Sequence, residues 1–366
     1  MKIVTICNPC MQDVVKNANL FDFRIDNAHI TVALLDVVPT DFASLWTDDS
    51  VLVRVKAFSC NFRDRSLLHF FNESCIQFSG DRKYFYSPIG SEFMGEVLEV
   101  GSHVHSLKIG DRVMPNMAYP IRRDGKVGGV ISNFASQRNQ LFSEEQLIKV
   151  PDKMSDEEAA GFALTAQTAY SMVRKANLRG GENVLLTALS SNTSLAIMAL
   201  LQSRHVNIYG ASTKAADWAE LLDNGELKQI FSFEDLKNKH LLEPRFDVVF
   251  DPFIDLYFPE VRLRLNHGAQ YIYCGLYKQN PKYVSSTKTD ETDLCSLYAT
   301  CIIRNVSLIG NCLGTTSDLE NAIADYVAGE FSVPIDSVFS GEDVLSFFQQ
   351  TFLNKRKGKV IYKYAD

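Results

Sequence analysis

No stretch of this 366-residue chain stays apolar for the roughly 18 residues that a membrane-spanning helix needs. The longest apolar run, Leu195 to Leu201, suits a buried helix instead. The opening segment, Met1 to Ile6, reads as a strand. It lacks the long apolar stretch and cleavage site of a secretion signal, so a cytoplasmic setting is expected. Basic charge is scarce as well. With 37 Lys and Arg against 44 Asp and Glu, the net charge is -7, which argues against a nucleic-acid partner because phosphates are held by clustered cations. The one basic cluster, Lys355-Arg356-Lys357, reads as a solvated turn. The eight cysteines are scattered, and Cys7 and Cys10 form a lone Cys-x-x-Cys with no second pair to complete a zinc site. There is no internal repeat, no low-complexity tract and no Gly-x-Ser-x-Gly elbow of a hydrolase.

What is present is globular. Hydrophobic residues make up 46% and charged residues 22%, which excludes a disordered or collagen-like chain, and the length suggests about two domains. The first ~150 residues are strand-rich. Val51 to Val55 and Gly95 to Val100 alternate in polarity, and Ile109-Gly110-Asp111 is a turn into a further strand. After Pro151 the pattern changes. Ser155 with Glu158 three residues on marks a helix start. Strands at Asn183 to Thr187, Val206 to Tyr209, Asp247 to Asp251, Gln270 to Tyr273 and Asn305 to Ile309 then alternate with helical segments, which argues for a parallel sheet covered on both faces. A helix near Glu342 to Phe352 and a strand, Lys359 to Tyr362, close the chain.

Several motifs, in order, resemble the medium-chain dehydrogenase/reductase superfamily in its zinc-free quinone reductase and enoyl reductase branch. They are Asn61-Phe62-Arg63-Asp64, then Gly90-Ser91-Glu92-Phe93-Met94-Gly95-Glu96-Val97, then Lys108 to Val113. Ala159-Ala160 and Thr168-Ala169 follow, and Gly358-Lys359-Val360 matches the C-terminal return. The resemblance implies an α/β chain: a Rossmann-type doubly wound parallel sheet over residues 155–324, and a β-rich GroES-like catalytic domain over 1–154 and 325–366. It also implies hydride transfer between a nicotinamide cofactor and a small molecule, by a homodimer paired through the strand near Asn305 to Ile309. Zinc-dependent relatives use a Cys and a Gly-His-Glu. Here Cys60 is present but Ser91 stands in the histidine's place, so no metal is expected.

The cofactor turn departs from the family pattern. A glycine-rich fingerprint allows a tight turn and close approach to pyrophosphate. Here Ser191, Asn192 and Ser194 take glycine positions in Ser190-Ser191-Asn192-Thr193-Ser194. One reading has Asn192 in the left-handed conformation, with the hydroxyls and helix amides binding phosphate. The other treats the loop as a plain helix cap. After Tyr209 comes Gly210-Ala211-Ser212-Thr213-Lys214, with no acid to bind a ribose 2′-hydroxyl. Ser212 and Lys214 suit a 2′-phosphate, so NADPH is the expected cofactor; the bland reading is a cap and a solvated lysine.

Asn61 and Asp64 are the candidate catalytic residues by resemblance, Asn61 as an amide donor and Asp64 as an organiser of its loop. Thr168 and Gly275 match positions beside the nicotinamide. Tyr84, Tyr86 and His69 are candidate proton donors, each with packing as the alternative role. Glu92 reads as structural, and His103 and His105 as surface residues. The expected reaction is NADPH-dependent reduction of an activated C=C bond. A quinone reductase shares every motif, and a non-catalytic binding protein of the same fold would explain the glycine-poor turn.

Overall fold

The computed structural model describes residues 1–365 apart from 16–18, 78–84, 239, 241 and 280–293. Tyr84 therefore lies outside the described residues. The chain divides into two compact units, one holding Met1–Leu164 and Pro334–Asp366, the other Thr165–Gln279 with residues 294–333.

The first unit runs β1 (Lys2–Cys7), α1 (Met11–Val14), β2 (Leu20–Ile25), β3 (Ala28–Asp36), β4 (Ser50–Ser59), α2 (Asp64–Gln77), β5 (Tyr86–Ser87), β6 (Glu92–Val100), β7 (Arg112–Pro115), β8 (Asn139–Ser143) and β9 (Leu147–Lys149). The helix α3 (Asp156–Ala176) follows. The boundary between units falls inside α3 rather than ahead of it. The reason is local bonding: Ser59 donates to the Ala160 carbonyl at 3.0 Å, and the Leu164 amide donates to Glu92 at 2.7 Å, so the helix's first turns belong to the β-rich unit. Ser155 and Glu158 cap its start reciprocally, as their spacing predicts.

The second unit continues with β10 (Asn183–Leu186), α4 (Asn192–Leu201), β11 (Asn207–Ser212), α5 (Ala219–Asp223), β12 (Gln229–Ser232), α6 (Phe233–Lys237), β13 (Phe246–Asp251), α7 (Ile254–Val261), β14 (Leu265–Tyr273), α8 (Leu294–Arg304), β15 (Ser307–Gly310) and α9 (Thr316–Ala328). The chain then returns to the first unit as β16 (Ile335–Ser340), α10 (Val344–Phe352) and β17 (Lys359–Lys363).

Three sheets result. The order β2-β3-β1-β5 forms a small antiparallel sheet, and β16-β17-β4-β6-β7-β9, with β8 also on β4, forms the main sheet of the first unit. The second unit is a six-stranded sheet in the order β12-β11-β10-β13-β14-β15, parallel throughout. This is the doubly wound order, in which the chain reverses direction across the sheet between β10 and β13. Val184, Leu185, Val249 and Phe250 are buried, as expected for central strands packed on both faces. Among the described residues no helix is long and apolar enough to cross a membrane.

Candidate active site and cofactor turn

In the first unit, the start of α2 and the start of β6 bring a chain of buried polar groups together. Lys359, on β17, has a fully enclosed ammonium that donates to the Asn61 Oδ1 at 2.6 Å and to the Glu92 Oε2 at 2.7 Å. The Asn61 amide donates to Ser91 Oγ at 3.1 Å and to Glu92 at 3.3 Å. The Ser91 hydroxyl donates to Asp64 Oδ2 at 2.7 Å, and the Asn61 backbone N–H reaches the same oxygen at 2.7 Å. Arg63 then links Asp64 to Asn133, at 3.0 Å each.

Burial raises the Asp64 carboxyl above its ordinary range, opposed chiefly by the Arg63 guanidinium. Burial also pushes the Cys60 thiol well up, with the Asp64 charge adding to the effect. Asn61 and Asp64 are thus brought together as the sequence suggests, but Asn61 has both ends of its amide engaged inside the cluster. Lys359 was not singled out by sequence reasoning. The signal was Glu92, a carboxylate between buried Ser91 and Phe93, which requires a cation to neutralise it.

The other candidates separate from this cluster. His69 is enclosed on α2, and its Nε2 lies 2.9 Å from Asp26, a packing role. Tyr86 is half-buried on β5, and burial raises its phenol. His103 is exposed with Asp49 at 3.3 Å, and His105 is exposed too. Among the described residues no group of three or more His, Cys, Asp or Glu side chains is placed to hold a metal.

In the second unit the turn between β10 and α4 lies at the carboxyl ends of the strands beside the reversal of sheet order. Its left-handed residue is Ala188, at φ 48°, not Asn192. Asn192 is the first residue of α4, and Ser191 precedes it in an extended conformation. The expectation for Asn192 fails because the tight bend comes four residues earlier, directly at the strand's end. Ser194 also differs from expectation: it is enclosed, and its hydroxyl donates back to the Thr187 carbonyl at 2.7 Å, so it shapes the turn from within. Ser190 is exposed, and Ser191, Asn192 and Thr193 are half-buried. The first-turn amides of a helix have no partner within the helix and suit an anion.

Ser212 ends β11 enclosed, its hydroxyl accepting the Lys214 N–H at 3.0 Å, while the Lys214 side chain is exposed. Thr168 is buried on α3. Gly275 is needed for a contact inside the chain, since a Cβ there would lie 2.7 Å from the Pro252 carbonyl oxygen. Behind the turn lies a residue the sequence reading passed over. Asp251, at the end of β13, is fully enclosed and accepts from the Thr187 hydroxyl at 2.6 Å, the Phe253 N–H at 2.8 Å and the Tyr271 hydroxyl. Burial pushes its carboxyl up to about 6 against these donors.

Residues 47–152 match the alcohol dehydrogenase GroES-like domain family. The chain is 25% identical to the acryloyl-coenzyme A reductase of Metallosphaera sedula over 289 residues, 75% of this chain and 82% of that one. It is 36% identical to a Pseudomonas aeruginosa quinone oxidoreductase over 110 residues, 30% of each chain. Among solved structures, an NAD-dependent alcohol dehydrogenase superimposes over 100% of both chains with a TM-score of 0.71 at 17% identity, a likeness of fold.

Proposed function

We propose that this chain, an oxidoreductase of the medium-chain dehydrogenase/reductase type, is a zinc-independent, cytoplasmic reductase of an activated carbon–carbon double bond and takes NADPH. The observation that carries the cofactor choice is the end of β11, where Ser212, Thr213 and Lys214 stand with no acid among them and the lysine exposed. An acid there would bind a ribose 2′-hydroxyl and repel a 2′-phosphate. In this reading the phosphates lie on the first turn of α4 with Ser190, Ser191, Asn192 and Thr193, and Ser194 supports them from below. Lys214 meets the 2′-phosphate, and Thr168 and Gly275 face the nicotinamide.

Bound NADPH supplies a hydride, so the chain has to orient the substrate, favour the negative charge that develops on it and exclude water. Asn61 is 9% exposed, whereas Ser91, Glu92 and Lys359 are at most 1% exposed and Asp64 is fully enclosed. The substrate carbonyl is accordingly assigned to Asn61, whose side-chain N–H would exchange its 3.3 Å bond to Glu92 for the substrate oxygen. Asp64 acts as a positioning residue, holding the Asn61 backbone and the Ser91 hydroxyl. Lys359 fixes the amide's orientation and places a positive charge behind it.

The same cluster supports the absence of zinc. The Lys359 ammonium is already bonded to Glu92, and Ser91, whose hydroxyl donates to Asp64, is a poor ligand. Elemental analysis should find far less than one zinc per chain, with activity unaffected by chelators. Activity that depends on stoichiometric zinc would overturn this.

The likeness to an acryloyl-coenzyme A reductase supports an alkene conjugated to a carbonyl, and that to a quinone oxidoreductase supports a quinone as the second reading. Following NADPH oxidation with an acryloyl thioester, a simple enone and a benzoquinone separates them. Saturation of the alkene is the expected result. Turnover of the quinone alone would favour the second reading, and failure to bind either nicotinamide nucleotide would favour a non-catalytic binding protein.

A further inference from the structure

The turn after β10 has an internal difficulty. A left-handed residue other than glycine or asparagine is disfavoured, yet Ala188 adopts φ 48° with its methyl group buried. Something must hold it there, and the peptides on either side are hydrogen-bonded. The Ala188 carbonyl accepts the Ser191 N–H at 2.7 Å, and the Leu189 N–H reaches the Ala211 carbonyl at 3.1 Å. Thr187 is tied through its amide to the Phe250 carbonyl at 3.1 Å and through its hydroxyl to Asp251 at 2.6 Å.

Asp251 also fixes a second loop. Its carbonyl accepts the Cys274 N–H at 3.2 Å, the Ile254 N–H that begins α7 donates to the Gly275 carbonyl at 3.3 Å, and Gly275 lies against Pro252. One buried carboxylate, supported by the Tyr271 hydroxyl, is therefore bonded to the turn after β10 and adjoins the loop after β14. Both lie at the carboxyl ends of the strands that flank β13, β10 and β14, where doubly wound sheets bind ligands.

We propose that Asp251, with Tyr271, is the positioning element that holds the left-handed turn at Ala188 and fixes it relative to the Cys274–Gly275 loop, so that a buried polar cluster replaces glycine in shaping the cofactor-binding edge. The proposal rests on the nucleotide-binding reading for its purpose, but the shape of the turn is measurable without any nucleotide.

The test uses the full chain at neutral pH with Asp251→Asn, Tyr271→Phe and each combined with Ala188→Gly. Hydrogen exchange of the segment 187–191 is followed by mass spectrometry, and NADPH affinity by nicotinamide fluorescence. Each single variant should speed exchange of that segment and weaken NADPH binding by about tenfold, the scale of one strained backbone residue. Adding Ala188→Gly should restore both to within about threefold, because glycine adopts the same turn without the clamp. General destabilisation would raise exchange across β13 and β14 too, and glycine would not correct it. That outcome, or wild-type exchange in both single variants, would overturn the proposal. If Asp251→Asn does not fold, Tyr271→Phe, which keeps the ring, decides the matter alone. If the wild type binds no NADPH, the cofactor reading fails while the exchange arm still tests the positioning role.

Discussion

Lys359 and Glu92 form an ion pair at 2.7 Å with side chains that are 1% and 0% exposed. They lie 267 residues apart in sequence and join the last strand of the chain to the start of β6. A buried charge left without its partner is far more costly than the pair itself is stabilising.

Lys359→Met should therefore lower the unfolding free energy by about 3–5 kcal/mol, since Glu92 would be left enclosed and uncompensated. Lys359→Met with Glu92→Gln should recover a large part of that loss. Chemical denaturation of the single and double variants measures the coupling. Additive losses in the double variant would show that the two residues do not act as a pair.

The buried Asp251 carboxyl gives a pH dependence whose sign follows from its shift. Its pKa rises to about 6 in the folded chain, because burial outweighs the Thr187, Tyr271 and Phe253 donors and the Asp255 charge adds to the rise. Unfolded, it titrates near its ordinary value of about 3.9. The folded state holds the proton more tightly, so this group's contribution to stability is full below about pH 4 and is lost as pH rises through about 6. The wild type minus Asp251→Asn stability difference should fall by roughly 3 kcal/mol across that window. Parallel denaturation curves in acidic and neutral buffer measure it, and a constant or rising difference would contradict it.

The apolar surface of the second unit supports a homodimer. The strand β15 lies at the edge of the parallel sheet. Before it, α8 exposes Leu294, Tyr298 and Ile302 at four-residue spacing, together with Ile303. Among the described residues nothing pairs with the outer side of β15, and such an edge beside an apolar stripe suits a second copy. Light scattering at micromolar concentration should give twice the chain mass, and Tyr298→Lys with Ile302→Lys should give the monomer. A wild type that is wholly monomeric would refute the pairing.

Much of the architecture was legible because its signals are local. The capping pair Ser155 and Glu158, the apolar run ending at Asp251 and the alternation in β6 each encode their element within a few residues. The elements that escaped are long-range. Thr187 and Asp251 meet across 64 residues, a contact no local pattern announces, beside a turn where alanine holds a position that local preference assigns to glycine or asparagine. Asn192 suited the left-handed role by residue type, but the helix starts on it. The Lys359 and Glu92 pair is another such contact, joining residues 267 apart.

The most direct test of the account is a fluorescence titration of NADPH and NADH against the wild type and Lys214→Ala. The account predicts that the wild type binds NADPH more tightly than NADH. Loss of the exposed Lys214 ammonium should weaken NADPH binding roughly tenfold to a hundredfold, the scale of one charge-assisted hydrogen bond, and leave NADH nearly unchanged. Equal loss for both nucleotides would show that Lys214 does not read the 2′-phosphate, and no binding of either by the wild type would contradict the central claim.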